Sequence, residues 1–307
     1  RLFNPADGVI ATANNKIVDS LYPRYLSRYF EPPYRVRRIE ELLAVREKHS
    51  PDDITAIQMD TVSLHARTVI DILRDDLTNI ESGNSLVPEA ARHLLDWDGN
   101  CSESSVTAAI FHVFHHRLLS NLLVGTLGEQ LFLAYTEMLN QCLVPTDNIF
   151  KNQNSLWFQA RPRSTLVAQA LNETCKILTA KFGAKMECWQ WGRLHSMLFS
   201  HPFGRTSFLQ PLLAIGPLPA AGDGTTINLG FYRHSNPYQQ TVGVSLRFLV
   251  DLKQPNNTGF VLPSGQSGHP LSEHFADQTA LWLGGRRIRI SSDPSPEKAP
   301  SLVLESQ

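Results

Sequence analysis

The sequence predicts an α+β protein in which a large helical insertion separates an N-terminal strand from a later group of strands. Apolar residues recur at helical spacing through much of residues 35–222, whereas from Thr225 onwards their period falls to two. Residues 1–15 carry β-forming side chains and are predicted to form a strand that enters a turn. We therefore divide one incomplete domain into a core strand and turn (1–34), a mainly helical lobe (35–222), and returning strands, a helix and a C-terminal tail (223–307).

Local signals place the helices of the middle segment. Pro32 and Pro33 precede a run with helical periodicity. The stretch Ser50-Pro51-Asp52-Asp53 combines a capping hydroxyl, an early proline and two carboxylates at the positive end of a helix dipole. Further helices are predicted near residues 66–80, 104–123 and 164–182, the last ending at the favourable C-cap Gly183.

The later strands are predicted at residues 225–233, 242–250, 258–262 and 287–290. In the second of these, alternation places Val242, Val244, Leu246, Phe248 and Val250 on one side and Gly243, Ser245, Arg247 and Asp251 on the other. The whole helical lobe separates the N-terminal strand from these segments, so we expect a sheet that lacks strands.

Composition is typical of a globular protein and excludes several classes. Apolar residues make up 42% and charged residues 19%, and 28 Lys and Arg face 29 Asp and Glu, for a net charge of −1. A chain this close to neutral has no overall attraction to nucleic acid or anionic membranes. The longest nearly apolar run, Leu212 to Ala221, contains two prolines and falls far short of the ~20 residues that span a bilayer.

Cysteine and histidine spacing gives little support for a metal centre. Cys101, Cys142, Cys175 and Cys188 form no CxxC pair, and although two disulfides are possible, their helix-like surroundings favour four free thiols. The spacing of His112, His115 and His116 would let two imidazoles share a metal. No carboxylate lies at ligand spacing, so we favour histidines on the polar side of an apolar helix.

Three short segments carry side chains or amides that could do chemistry. Asn14 follows the predicted strand, where its amide could donate two hydrogen bonds into a cleft, as an oxyanion hole requires, or simply form a turn. Arg35, just before a helix, could organise a carboxylate near a site or lie on the surface. The loop Gly265–Gly268 could present backbone amides to an anion or form a tight connection.

Taken together, the motifs resemble the penicillin acylase (penicillin amidase) family of N-terminal nucleophile hydrolases. The resemblance follows the chain in order through Asn4-Pro5, Gly8, Ala11-Thr12-Ala13-Asn14-Asn15, Tyr34-Arg35, Arg38-Ile39, Gln58, Asp60, Leu95-Asp96-Trp97-Asp98-Gly99, Trp191-Gly192, His195, His201-Pro202, Ser245, Arg247, Asp251, Gly265-Gln266-Ser267-Gly268, Pro270, Ser272, His274, Asp277-Gln278 and Trp282.

The resemblance implies a fold, of which this chain would be part, and a reaction. Such proteins form a four-layer αββα sandwich, and their precursor, a zymogen, cuts itself to expose a Ser at the start of a β-chain. That Ser is the nucleophile, and its α-amine, with a pKa near ~8, can accept the hydroxyl proton. By resemblance, this chain is the later part of the β-chain, and the nucleophile and acyl-binding pocket lie outside it.

The resemblance also assigns roles to individual residues. Asn14 matches the side-chain oxyanion donor, and Arg35 matches the arginine that organises the active site. We interpret a further set as architectural, with polar groups that pair beneath a helical layer: Arg247, Asp251, Gly265, Gln266, Ser267, Gly268, His274 and Asp277.

We expect no cofactor. Family members often bind calcium through an acidic residue before the Pro-Pro-Tyr-Arg turn. Residues 25–30 contain no carboxylate, Glu31 is the first, and Arg28 would oppose a cation, so calcium is implied by the resemblance but not supported by these residues.

The leading functional hypothesis is the C-terminal portion of a periplasmic or secreted amide hydrolase. It would cleave N-acyl amides such as β-lactam side chains, as in antibiotic biosynthesis, or acyl-homoserine lactones. Its partners would be the upstream part of the same precursor (the α-chain and the N-terminal part of the β-chain) and a small N-acyl substrate. This portion alone should be inactive and poorly soluble.

One alternative is a non-catalytic binding or scaffold protein without the nucleophile, and a more distant one is a metallohydrolase using His112–His116.

Overall fold

The computed structural model describes residues 3–19, 21–137, 139–205 and 208–290. The chain divides into two compact units. Among the described residues, the first unit comprises those up to Glu47 together with Met59–Val244, and the second comprises Lys48–Gln58 together with those from Ser245 to Ile290.

Helices dominate the part of the chain that the structure describes. The α-helices are α1 (Tyr34–Leu43), α2 (Pro51–Gln58), α3 (Leu64–Ile72), α4 (Arg74–Thr78), α5 (Leu86–Leu95), α6 (Val106–Thr136), α7 (Leu143–Lys151), α8 (Arg163–Phe182), α9 (Trp191–Leu194), α10 (Gln210–Leu213) and α11 (Thr279–Leu283). The strands are β1 (Ser196–Phe199), β2 (Ile215–Pro219), β3 (Gly230–Arg233), β4 (Asn236–Gly243), β5 (Arg247–Leu249), β6 (Thr258–Val261) and β7 (Ile288–Ile290). Short 3-10 turns lie at Leu139–Cys142, Leu156–Phe158, Met186–Cys188, Pro202–Arg205 and Pro255–Asn257.

The core of the first unit is built around α6. This helix begins at Ser105, whose Oγ accepts a hydrogen bond from the Ala108 amide (3.1 Å), and its regular geometry is interrupted at Gly128 (φ 75°). Its first four turns are buried almost all round, as expected of a central helix. It packs chiefly on α8, which ends at Gly183 in the left-handed region (φ 87°).

A four-stranded sheet completes the first unit, in the order β2-β1-β4-β3. Strand β1 is antiparallel to β2 and parallel to β4, with Ser196 opposite Gln239. Strands β3 and β4 form an antiparallel hairpin in which Gly230 lies opposite Gly243. Residues 222–228 lie in the loop between β2 and β3, and Asp223 in this loop lies close to His112 of α6.

The second unit contains an antiparallel sheet in the order β5-β6-β7 with helices α2 and α11. Helix α2 contacts this sheet: Gln58 Nε2 donates to the Phe248 carbonyl (3.1 Å), and Arg287 Nη2 donates to Thr55 Oγ1 (2.7 Å). Arg247 is only 2% exposed and its guanidinium lies 4.3 Å from the Trp282 ring centroid. A buried arginine is therefore part of this unit's packing.

Several predicted elements are confirmed. Helices α1, α2 and α8 and strands β6 and β7 form where the sequence places them. The helix predicted at 66–80 is two helices, α3 and α4, that meet at Leu73, and the helix at 104–123 extends to Thr136. The mixed helix-and-sheet class is confirmed, whereas the four-layer sandwich stays a prediction.

Two strand predictions are wrong. Residues 3–15 form no regular strand and make a single isolated bridge, Asn15 with Glu31, because no described strand pairs with them and a strand exists only through such pairing. The segment 242–250 is not continuous. It is divided between β4 and β5, which belong to different sheets.

The burial pattern of β5 also reverses the predicted one. Leu246, Phe248 and Val250 remain nearly half exposed, whereas Arg247 is buried. The alternation of apolar and polar residues shows that a strand has two faces. It does not show that the buried face holds Arg247, whose guanidinium stacks on Trp282. The strand predicted at 225–233 is shortened to β3, because residues 223–228 form a turn around the Asp223 carboxylate.

No helix within the described residues is long and apolar enough to cross a membrane. Each of the four cysteines is a free thiol in the structure, and Cys101, Cys142 and Cys175 are buried.

The cap of α6 gives a stability prediction. Ser105→Ala removes an N-cap acceptor, which typically costs about 1 kcal/mol, so amides in the first turn of α6 should exchange hydrogen about fivefold faster. The measurement is hydrogen exchange of the full-length protein by mass spectrometry. Ser104→Ala is the control, since Ser104 is exposed and lies outside the cap, and equal exchange in both variants would contradict the assignment.

Candidate functional site

Asn14 lies at a sharp bend of the backbone, at a position where the sequence predicts the end of a strand. Its φ is 63°, a left-handed conformation that asparagine tolerates better than most residues. The bend is held from both sides: the Ala13 amide donates to Asn15 Oδ1 (3.0 Å), and the Glu31 amide donates to the Asn14 carbonyl (2.9 Å). The bend leaves the Asn14 side chain exposed.

Arg35, in the first turn of α1, orients that side chain. Its Nη2 donates to Asn14 Oδ1 (2.9 Å) and to the Ala13 carbonyl (3.0 Å). Burial lowers the pKa of Arg35 and the nearby Glu31 carboxylate opposes the shift, yet a guanidinium stays charged at neutral pH. Because Arg35 holds the oxygen of Asn14, the NH₂ group of Asn14 points away from the guanidinium, and no described residue accepts a hydrogen bond from it.

Helix α1 is fixed on either side of Arg35. The Tyr34 hydroxyl donates to Asp147 Oδ2 in α7 (3.0 Å). One turn later Arg38 donates two parallel hydrogen bonds to the Asp60 carboxylate, from Nε to Oδ1 (3.0 Å) and from Nη2 to Oδ2 (2.8 Å). Bidentate pairs of this kind are geometrically specific, so the direction of α1, and with it the position of Arg35, is well determined.

The arginine and asparagine open onto a cleft of about 340 Å³. Its lining combines polar groups with aromatic and aliphatic ones: Asn14, Tyr29, Phe30, Glu31, Arg35, Asn140, Gln141, Leu229, Phe231 and Val242. Small-molecule sites combine apolar walls with convergent polar groups, and half of the residues that line this cleft are of each kind.

The residues beside this cleft do not fit the calcium site that the resemblance implies. Glu31 supplies one carboxylate, and its Oε2 already accepts a hydrogen bond from Asn140 Nδ2 (2.7 Å). Among the described residues, Glu31 joins no group of three acidic, histidine or cysteine ligands. Arg35 lies close enough for its charge to interact with Glu31 and would repel a cation.

Sequence reasoning missed a buried group in the same unit. Cys101 Sγ lies 3.7 Å from His112 Nε2 and 3.8 Å from Asp223 Oδ2, and the last two atoms are 3.6 Å apart. We call these three residues the Cys-His-Asp cluster. Spacing could not reveal it, because Asp223 reaches His112 from more than a hundred residues away.

Burial and hydrogen bonding fix the charges in this cluster. Burial lowers the pKa of His112 to about 4, although the Asp223 carboxylate opposes the shift. Burial alone would raise the pKa of Asp223, but the interaction with His112 and the hydrogen bonds from Thr225 outweigh it and lower the pKa. At neutral pH the imidazole is therefore neutral and the carboxylate is charged.

The other histidines of α6 are placed differently from the prediction. His115 is buried rather than solvated, and it lies close to His65 and Asp147. Within this group, His65 Nε2 lies 3.3 Å from Asp147 Oδ1. His116 bonds instead to the His234 carbonyl (3.3 Å), through its Nε2.

The residues interpreted as architectural all lie in the second unit. Arg247 Nη1 donates to the Trp282 carbonyl (2.5 Å), and Asp251 Oδ1 accepts from the Lys253 amide (2.9 Å). His274 Nδ1 lies 3.0 Å from Asp277 Oδ2, a contact that raises the pKa of His274.

The loop Gly265–Gly268 uses its amides internally. The Gly265 amide donates to the Phe275 carbonyl (2.9 Å) and the Ser267 amide donates to the His274 carbonyl (3.0 Å), while Gln266 and Gly268 are exposed. A Cβ at Gly265 would lie 1.8 Å from the His274 oxygen, so only glycine fits there. This geometry favours a tight connection over an anion site.

Comparisons with known proteins give the family of the chain. The family model described as penicillin amidase matches residues 1–299. The penicillin acylase 2 proenzyme of Pseudomonas sp. (strain SE83) is 29% identical over 293 residues, which cover 92% of this chain and 36% of that protein. The acyl-homoserine lactone acylase QuiP of Pseudomonas aeruginosa is 25% identical over 329 residues, covering 95% and 38% respectively. The chain thus spans little more than a third of the length of these curated relatives.

A solved structure supports the fold. The thermostable penicillin G acylase from Alcaligenes faecalis matches with a TM-score of 0.60 and 16% identity, over 99% of this chain and 58% of that chain. At this level of identity the match concerns the fold alone.

The anchor of α1 can be tested by substitution. Asp60→Asn leaves Arg38 with a neutral partner, and we expect the free energy of unfolding to fall by about 2 kcal/mol because the pair is largely buried (17% and 13% exposed). The urea midpoint of the full-length protein, followed by tryptophan fluorescence, measures this.

Asp71→Asn is the matched control. It breaks an Arg74 pair whose side chains are 52% and 66% exposed, and it should change stability by less than about 0.5 kcal/mol. Equal losses in the two variants would show that Arg38 does not anchor α1.

Proposed function

Because this chain belongs to the penicillin amidase family, we propose that it forms the later part of the β-chain of an amide hydrolase that removes an acyl group from an amine. The observation that carries the proposal is the contact between Arg35 and Asn14 at the edge of the cleft. The partial coverage of the relatives is consistent with a chain that works together with upstream parts of the same precursor.

The proposed reaction uses a Ser at the start of the β-chain, outside these residues. Its Oγ attacks the amide carbonyl, its α-amine takes the hydroxyl proton and passes it to the departing amine, and water then hydrolyses the acyl-enzyme. The carbonyl oxygen becomes negatively charged in each tetrahedral intermediate. Asn14 Nδ2 donates a hydrogen bond to that oxygen.

Arg35 is a positioning residue in this mechanism. Its hydrogen bond to Asn14 Oδ1 fixes which end of the amide faces the cleft, so the donor needs no reorganisation when charge develops. Its second bond, to the Ala13 carbonyl, holds the bend that supports Asn14.

The substrate class we propose is a small N-acyl amide, such as a β-lactam with an acyl side chain or an acyl-homoserine lactone. The names of the relatives support both, and the apolar wall of the cleft (Phe30, Leu229, Phe231 and Val242) suits an apolar group next to a polar amide. A periplasmic or secreted location, with self-cleavage of the precursor, belongs to the same proposal.

Substitution of Asn14 tests the oxyanion role. In the full-length protein, Asn14→Ala should lower kcat by about 10²–10³-fold with little change in KM, because the donor acts mainly in the transition state. Asn14→Gly removes the same donor without backbone strain at φ 63° and should lose as much. A Gly variant with near-normal turnover would exclude this role.

Asn4→Ala serves as a matched control for the backbone. Asn4 also has a left-handed φ (47°) but does not line the cleft, so its substitution should leave kcat within about twofold.

Intact-mass analysis of the full-length gene product tests self-processing. Two chains, of which the larger begins with Ser, Thr or Cys and contains this sequence, would support the hydrolase. A single unprocessed chain without turnover would instead favour the scaffold alternative.

A further inference from the structure

The Cys-His-Asp cluster has the dimensions of a metal centre. Its three ligand atoms are separated by 3.6, 3.7 and 3.8 Å. A tetrahedral zinc ion, with bonds of ~2.3 Å to sulfur and ~2.0–2.1 Å to nitrogen and oxygen, separates its ligands by roughly 3.3–3.6 Å. The observed spacing is close to that value, whereas 3.6 Å is too long for a good N–H···O hydrogen bond between His112 and Asp223.

The carboxylate of Asp223 offers one oxygen to this group. Oδ1 accepts hydrogen bonds from the Thr225 amide (2.6 Å) and hydroxyl (2.8 Å), while Oδ2 faces Cys101 and His112. Asp223 is only 3% exposed, and among the described residues His112 is the basic side chain within 4 Å of its carboxylate. A carboxylate buried beside a single imidazole is a costly arrangement.

A divalent cation would balance this charge. One thiolate, one carboxylate and one neutral imidazole bring a charge of −2, which a +2 ion neutralises. Binding releases the thiol proton of Cys101 to solvent and forms one bond each to Sγ, Nε2 and Oδ2. Sulfur and imidazole ligands favour zinc over calcium or magnesium.

Neighbouring groups already hold the ligands in place. The other nitrogen of His112, Nδ1, lies 3.1 Å from the Tyr232 hydroxyl, and the imidazole ring stacks on Trp191 with centroids 4.2 Å apart. Partners of this kind fix the ring orientation of metal-binding histidines. The fixed ligands make the cost of ordering the site small.

Space for a fourth ligand adjoins the cluster. A cavity of about 50 Å³, enough for at least one water molecule, is lined by His112 and Asp223 together with His65, His115 and His234. The second histidine group, around Asp147, is a weaker candidate, since Asp147 is already hydrogen-bonded to Tyr34 and His65.

We propose that Cys101, His112 and Asp223 bind one zinc ion whose fourth coordination position opens to this cavity. The ion connects helix α6 to the loop that leads into β3. No step of the proposed hydrolysis involves this ion, so either proposal can fail alone.

Metal analysis of the purified full-length protein tests the site. After equilibration with zinc and removal of weakly bound metal, we expect about one zinc per chain in the wild type, and less than about 0.1 in Cys101→Ala and Asp223→Asn. Cys175→Ala is the matched control, since Cys175 is equally buried but lies in α8 outside the cluster. Tyr232→Phe should weaken zinc affinity by about 10–100-fold.

Cobalt substitution provides a second measurement that needs no variant. Co²⁺ bound by Cys101 should give a sulfur-to-metal charge-transfer band in the near ultraviolet, which zinc then abolishes. If a variant fails to fold, this wild-type spectrum decides. A wild type without stoichiometric zinc and without the cobalt band, or a Cys101→Ala protein that retains zinc, would overturn the proposal.

Discussion

The buried carboxylate of Asp223 must keep hydrogen-bond partners, and this requirement determines how the segments around it are arranged in the first unit. A buried carboxylate must be hydrogen-bonded to be tolerated. The amide and hydroxyl of Thr225 meet that requirement, and Ser63 Oγ lies 2.9 Å from the same hydroxyl. These contacts bend residues 222–228 into a turn that neighbouring segments also hold. The Gly222 amide donates to the Cys101 carbonyl (2.8 Å), and Trp191 Nε1 in α9 donates to the Gly222 carbonyl (3.0 Å).

The same turn supports the candidate site from behind. Asn140 Nδ2 donates both to the Gly224 carbonyl and to Glu31 Oε2, and the Glu31 amide donates to the Asn14 carbonyl. A second connection passes through Asp60, whose carbonyl accepts from residue 228 of the turn while its carboxylate holds Arg38. The orientation of Asn14 therefore depends on the protein interior, which is how a hydrogen-bond donor is preorganised.

Sequence patterns predict those features of the fold that depend on interactions between residues close together in the chain. The cap at Ser50, the end of α8 at Gly183 and the helical periodicity of α8 depend on neighbouring residues. Those predictions are confirmed, since the Asp53 amide donates to Ser50 Oγ (3.2 Å) and α8 ends at Gly183. Strands depend on pairing with distant segments, so the predictions of an N-terminal strand and of a continuous strand at 242–250 are wrong. Motif order singled out Asn14 and Arg35, and the structure brings them into contact. The Cys-His-Asp cluster was missed because its ligands come from three separate segments.

The position of Trp191 has an optical consequence. Its indole stacks against the imidazoles of both His112 (4.2 Å between centroids) and His195 (4.5 Å), and it is fully buried. Burial lowers the pKa of His195 to about 3, so both rings are neutral at physiological pH. An indole shielded from water emits at short wavelength, and a neighbouring imidazole that gains positive charge quenches it. Of the five tryptophans in the chain, Trp191 is thus one whose emission depends on the charge of the two imidazoles stacked against it.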